Sequence, residues 1–215
     1  MEWYLIMSYI AAVVLPVAFI PQAKAIYKSK DTTGISPISY FLVFIGTIFL
    51  MLWGGLSGVE KGIGLYVSEF VLTFIEFVIM FYLYKNVGKP WIFYLSIPLF
   101  IAAAGVGLPN LIHLGTFKLS QTWMSIIISI GIFSIAFAFA PQTTMSLIKK
   151  DVGNVNIITS SLIALGNLLL FMFYIGLYKA FGEMDAIFGI IGSVIGMSWQ
   201  LPQIGLKIYL DHKKK

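Results

Sequence analysis

Ile20-Pro21-Gln22, with Lys30-Asp31-Thr32-Thr33-Gly34 behind it, returns 120 positions later as Ala140-Pro141-Gln142, with Lys150-Asp151-Val152-Gly153-Asn154 behind it. At that offset Pro21 meets Pro141, Gln22 meets Gln142, Lys30 meets Lys150, Asp31 meets Asp151 and, further on, Gly46 meets Gly166. A register held over about 25 residues marks a duplicated structural unit, and internal repeats of this kind are what many membrane transporters are built from.

The chain around the repeat is 59% hydrophobic and 11% charged, with a mean hydropathy of +0.93. An ordinary globular domain carries about 25% charged residues, so this composition reads as an integral membrane protein. The first apolar segment begins at Trp3, lacks a basic leader and has no small-residue cleavage site before Pro16, which predicts a retained span, not a signal peptide. There is no cysteine, so disulfides and thiolate metal sites are excluded. The net charge of +5 comes from lysines scattered between apolar runs. Membrane lipid is therefore an expected partner and nucleic acid is not.

Apolar runs long enough to cross roughly 30 Å of hydrocarbon lie at 3–27, 36–56, 64–84, 91–112, 121–147, 156–178 and 185–208. They are continuously apolar, which predicts helices; a barrel strand would alternate. Seven spans place the termini on opposite sides. Lys24, Lys28, Lys30, Lys85, Lys89, Lys149, Lys150, Lys207, Lys213, Lys214 and Lys215 then fall on one face. Lys61, Lys118 and Lys179 fall on the other, with Glu2, Glu60, Glu183 and Asp185. The positive-inside rule predicts a multi-pass protein with its N-terminus outside and its C-terminus cytoplasmic.

A three-span unit makes an odd number of crossings, so two copies joined directly would be inverted. The matched Pro-Gln pairs and lysines need both copies to run the same way, and one extra span achieves that. The predicted fold is all-α: two parallel three-helix bundles, 1–88 and 119–215, joined by a linker helix in 89–118 (3+1+3). A site shared between the repeats belongs near the midplane.

Phe19-Ile20-Pro21-Gln22, Lys30-Asp31-Thr32-Thr33-Gly34-Ile35-Ser36 and Trp53-Gly54 resemble the first two helices of the PQ-loop family, most of all those of the SWEET and SemiSWEET sugar transporters. The likeness extends over the whole chain in its 3+1+3 layout. It implies alternating-access transport of a sugar, with the prolines of the first and fifth spans flexing at the cytoplasmic side. PQ-loop relatives also export cystine and cationic amino acids, so proton-coupled amino-acid transport is the alternative. A cargo or peptide receptor of similar architecture is the remaining reading.

A proline inside a helix removes one backbone hydrogen bond and costs about 3 kcal/mol in water, so bends are expected at Pro21 and Pro141. Gln22 and Gln142 are placed to offer their amides to the freed carbonyls. A third pair, Pro202-Gln203, lies in the seventh span with Gln200 before it, breaks the twofold pattern and predicts a third bend at the same end.

Two acids fall well inside a span, Glu69 and Glu76, seven residues apart and so on one helix face. A charge at the bilayer centre costs about 2.5 kcal/mol or more, and such groups face a cavity or take up a proton. On the SWEET spacing Glu69 takes the place of the sugar-contacting asparagine, while Gly189, flanked by Gly192 and Gly196, takes that of its partner in the seventh span. Both asparagines are absent, which opens a role for protons as the coupling ion. Asn167 and Thr47 correspond at the 120-residue offset and sit mid-span, as polar contacts for a small solute or as interhelical hydrogen bonds worth roughly 0.6 kcal/mol. Trp53 and Tyr174 correspond with one insertion; aromatic faces stack on sugars, but their position near the outer boundary favours an interfacial belt.

An enzyme is not expected: His113 and His212 lie in loops, no metal-ligand cluster is present and no Ser/His/Asp set can be assembled. No cofactor is implied. The expected partners are a small-molecule substrate, lipid and protons, with homo-oligomerisation left open.

Overall fold

A computed structural model describes residues 3–57, 59–112, 117, 119–151, 155–182 and 184–213. Outside them lie Met1, Glu2, His113, Lys118, the Val152-Gly153-Asn154 end of the second repeat, Glu183, Lys214 and Lys215, and the side chains of Glu60 and Lys61 are likewise not described. The elements are α1 (Trp3–Ser29), α2 (Pro37–Leu56), α3 (Val59–Asn86), α4 (Pro90–Leu111), α5 (Gln121–Ala138), α6 (Ala140–Lys149), α7 (Ile157–Phe181) and α8 (Met184–Lys213). The described residues contain no strand. They form seven helical spans long and apolar enough to cross a membrane, with α5 and α6 together making the fifth.

Local chemistry sets the boundaries, and it does so twice. Ser36 caps α2 by accepting from Ser39 N (3.3 Å), with Pro37 in the first turn. Its counterpart 120 positions on, Asn156, caps α7 by accepting from Ile158 N (2.9 Å). At the preceding helix ends Lys30 (φ 58°) and Lys150 (φ 50°) both take the left-handed conformation, uncommon for a residue with a Cβ. The Lys30 ammonium lies 3.8 Å from the Tyr27 ring centre and donates to Tyr82 Oη at 2.7 Å. At the Lys150 site the equivalent positions are Leu147 and Pro202, so no such clamp forms.

Six spans close a ring: α1 packs on α3, α3 on α2, α2 on α5, α5 on α8, α8 on α7 and α7 on α1. Between the halves the contacts exchange partners. A Cβ on Gly166 of α7 would overlap Leu15 of α1, and one on Gly46 of α2 would overlap Ile135 of α5; both pairs are 120 positions apart member by member. Without a hydrophobic drive between helices in lipid, close packing at small residues is what holds such interfaces. The remaining helix, α4, lies outside the ring on α2 and α3. Phe100 docks it against Phe70, Phe74 and Phe77 of α3 at 5.3–5.6 Å, and α2 and α4 meet backbone to backbone at Gly55 and Gly107.

The three Pro-Gln pairs differ in backbone. The fifth span breaks at Phe139, two residues before Pro141, whereas α1 is unbroken through Pro21 and α8 through Pro202. Thr143 marks one local difference: its hydroxyl donates to Trp199 O of α8 at 2.8 Å, tying α6 to α8. The position equivalent to Thr143 is Ala23, which has no hydroxyl to do the same in α1.

Candidate functional site

On the ring axis the six helices enclose a space of about 40 Å³, lined by Glu69 of α3, Asn167 and Tyr174 of α7 and Ser193 of α8 among apolar side chains. A water needs about 10–15 Å³ of such a space, so this conformation leaves room for a few waters and no larger solute. Smaller spaces lie beyond it: about 20 Å³ beside Trp53 and Ser68, and about 10 Å³ at the Pro-Gln end.

Glu69 and Glu76 are buried, as their shared face predicts. One carboxylate oxygen of each has no partner among the described residues, and no lysine lines the central space. Thr47 Oγ1 sits 3.2 Å from the other Glu76 oxygen and 2.8 Å from Phe44 O. Neither Thr47 nor Glu76 lines the central space, so the matched pair divides: Asn167 faces the space and Thr47 serves Glu76. The Asn167 amide donates to Ile163 O at 3.0 Å, and its Oδ1 rests on Gly196, where a Cβ would stand only 2.7 Å away. Gly189 makes the same kind of room for the Tyr174 ring and Gly192 for Ile132. The glycines of α8 thus let Tyr174 and Asn167 of α7 and Ile132 of α5 pack close against it.

The aromatic pair is corrected. Trp53 and Tyr174 are 4% and 2% exposed, packed inside the protein among Tyr4, Phe173 and Leu177 and not in an outward-facing belt. Tyr174 reaches the central space because position 189 lacks a side chain.

At the Pro-Gln end the glutamines cross between the halves. Gln22 Oε1 accepts from Asn156 N (2.9 Å), at the start of α7. Gln142 Oε1 accepts from Ser36 N (2.6 Å), at the start of α2, while its amide donates to Gly34 O (2.7 Å). The expected donation of the Gln142 amide to its own helix's freed carbonyl is therefore replaced by a tie to the opposite half. These are reciprocal contacts, since 36 and 156 stand at the same 120-residue offset as 22 and 142. Gln203 completes the cluster. It lines the same small space as Gln22 and Gln142, accepts from Ser160 Oγ at 3.3 Å, and has no partner for its amide nitrogen among the described residues. Gln200, one turn deeper, is fully buried with neither amide atom partnered there.

Asn156, Ser193 and Ser160 were not singled out by sequence reading, and Ser36 and Gln200 were named only within longer motifs; Ser36 and Asn156 could have been found as a pair by carrying the 120-residue offset through the helix starts. No group of His, Cys, Asp or Glu among the described residues could hold a metal ion. No curated protein and no solved structure matches the chain. Among protein families, residues 3–60, which run from α1 through α2 to the start of α3, match the PQ loop repeat.

Proposed function

We propose that this is an alternating-access transporter of the PQ-loop type, carrying a small polar solute, with a sugar as the solute class. In this reading it is built from two parallel three-helix repeats, 1–88 and 119–215, with α4 as the linker within 89–118. The observation that carries the proposal is the pair of reciprocal latches, Gln22 to Asn156 and Gln142 to Ser36, which close one end over the central space. Hydrogen bonds that tie one half to the other, and not each half to itself, must break together when the halves separate, which makes a two-state element. The solute's hydroxyls would meet Glu69, Asn167 and Ser193, and Tyr174 offers an aromatic face. The lysine-rich Pro-Gln end is the cytoplasmic one, with the N-terminus outside.

One observation favours a second reading, proton-coupled transport of an amino acid. Two carboxylates two turns apart, buried and without a cation beside them, suit a proton or an ammonium group better than a neutral ring. The test is uptake by the reconstituted protein of a panel of sugars and amino acids, with and without an imposed pH gradient. Saturable sugar uptake indifferent to the gradient supports the first reading. Amino-acid uptake accelerated by an inward proton gradient, with the acceleration lost in Glu69→Gln, supports the second. No saturable uptake of any solute overturns transport and leaves the receptor.

A further inference from the structure

A concave space larger than the central one lies off the transport axis. It is a groove of about 730 Å³ outside the ring, between the start of α2 and the start of α4, well within the roughly 300–1,000 Å³ of sites that take up a small molecule. Its walls are Ile38 and Phe41 of α2 and Trp91, Leu95 and Leu99 of α4, all exposed on the outside of the bundle. The polar atoms within it are already used. Ser36 Oγ accepts from Ser39 N, Ser96 Oγ donates to Phe93 O and Tyr84 Oη donates to Pro37 O. What remains is an apolar trough with one ammonium, Lys89, at its mouth, and Lys89 makes no ion pair among the described residues.

The dimensions suit one kind of occupant. From Lys89 to Leu99 the groove follows ten residues of helix, about 15 Å at 1.5 Å per residue. That is half of a hydrocarbon core of roughly 30 Å, the depth of a single leaflet. A polar solute would find no free partner along it. An amphiphile with an apolar chain and one anionic group would be matched at both ends.

We infer that this groove seats an acyl chain of an anionic phospholipid from the lysine-rich leaflet, with the headgroup phosphate against Lys89. The site is separate from the transport reading and needs no transport to be tested. Its position nonetheless joins it to the latches: the groove is walled by Ser36 and Pro37, and Ser36 N is the atom that Gln142 holds.

The test uses the full-length protein in phosphatidylcholine vesicles containing a small fraction of either phosphatidylglycerol or phosphatidylcholine, each with the same photoreactive diazirine acyl chain. Labelled residues are then read by peptide mass spectrometry. The phosphatidylglycerol probe should label Phe41, Leu95 and Leu99 about five-fold more than the phosphatidylcholine probe, the equivalent of ~1 kcal/mol for one lysine at an anionic surface. Val13 and Val17, lipid-facing on α1, should be labelled alike by both probes. Lys89→Gln, a surface change that leaves the packing intact, should abolish the preference, and Leu95→Trp should reduce labelling of the groove by either probe. Equal labelling of the groove by the two probes, or a preference that survives Lys89→Gln, would overturn the site.

Discussion

Gln142 holds two backbone atoms of the opposite half with one side chain, Ser36 N through its oxygen and Gly34 O through its nitrogen. Each such bond is worth about 1 kcal/mol net, and an orphaned buried N–H costs more, so Gln142→Ala should shift the molecule toward an open Pro-Gln end. The chain has no cysteine, so Ser160→Cys gives a single thiol inside the latch cluster. Its reaction with a maleimide should run about ten-fold faster in the Gln142→Ala background, on the same bookkeeping, and Gln22→Ala should act in the same direction. An unchanged rate would mean that the glutamines hold loops in place without gating. In the central space, Asn167→Leu should weaken solute affinity several-fold while Thr47→Val leaves it within about two-fold, because an amide offers donors and an acceptor to a solute whereas Thr47 is turned to Glu76. The check is the apparent affinity for whichever solute the uptake panel identifies. That Asn167 and Thr47 part company was not legible in their matched positions. It follows from what stands opposite each of them, Gly196 for one and Glu76 for the other.

Among the helices, the fifth span is the one already divided, into a membrane-crossing α5 and a ten-residue α6 tied to α8 through Thr143 and to the start of α2 through Gln142. The first span carries the same Pro-Gln pair but is continuous, and its end is clamped by Lys30 between Tyr27 and Tyr82. The two prolines should therefore not be equivalent. Pro141→Ala restores a backbone donor where the helix is broken and should slow opening and transport several-fold, with Pro21→Ala having the smaller effect. Ser160→Cys labelling and uptake rates compare them directly, and equal slowing by both would contradict the asymmetry. The seven spans were readable to within a few residues because hydrocarbon thickness and cap chemistry at Ser36-Pro37 and Asn156 fix where helices start. The break at Phe139 was not, because Pro21 and Pro141 look alike in sequence. One local difference lies in Thr143 against Ala23 and in a carbonyl of α8 nearly 60 residues further along the chain.

At the scale of the molecule, the 120-residue repeat carries through to side-chain contacts: Leu15 on Gly166 answers Ile135 on Gly46, and Gln22 on Asn156 answers Gln142 on Ser36. The repeat itself was visible in the order of residues. Its consequence, that each half's first helix grips the other half's second, depends on how six helices close into a ring and could not be read from spacing alone. The space on the ring axis is small, so in the proposed transport reading the ring must open at one end at a time. Paired distances between spin labels test this most directly. One pair would be on Lys28→Cys and Lys149→Cys at the Pro-Gln end, the other on Ile63→Cys and Lys179→Cys at the opposite end, all exposed positions in an otherwise cysteine-free chain. Each pair should show a short and a long distance. Releasing the latch with Gln142→Ala should lengthen the first pair's average while it shortens the second's. A single distance at each end that Gln142→Ala leaves unchanged, or a widening at both ends together, would contradict alternating access.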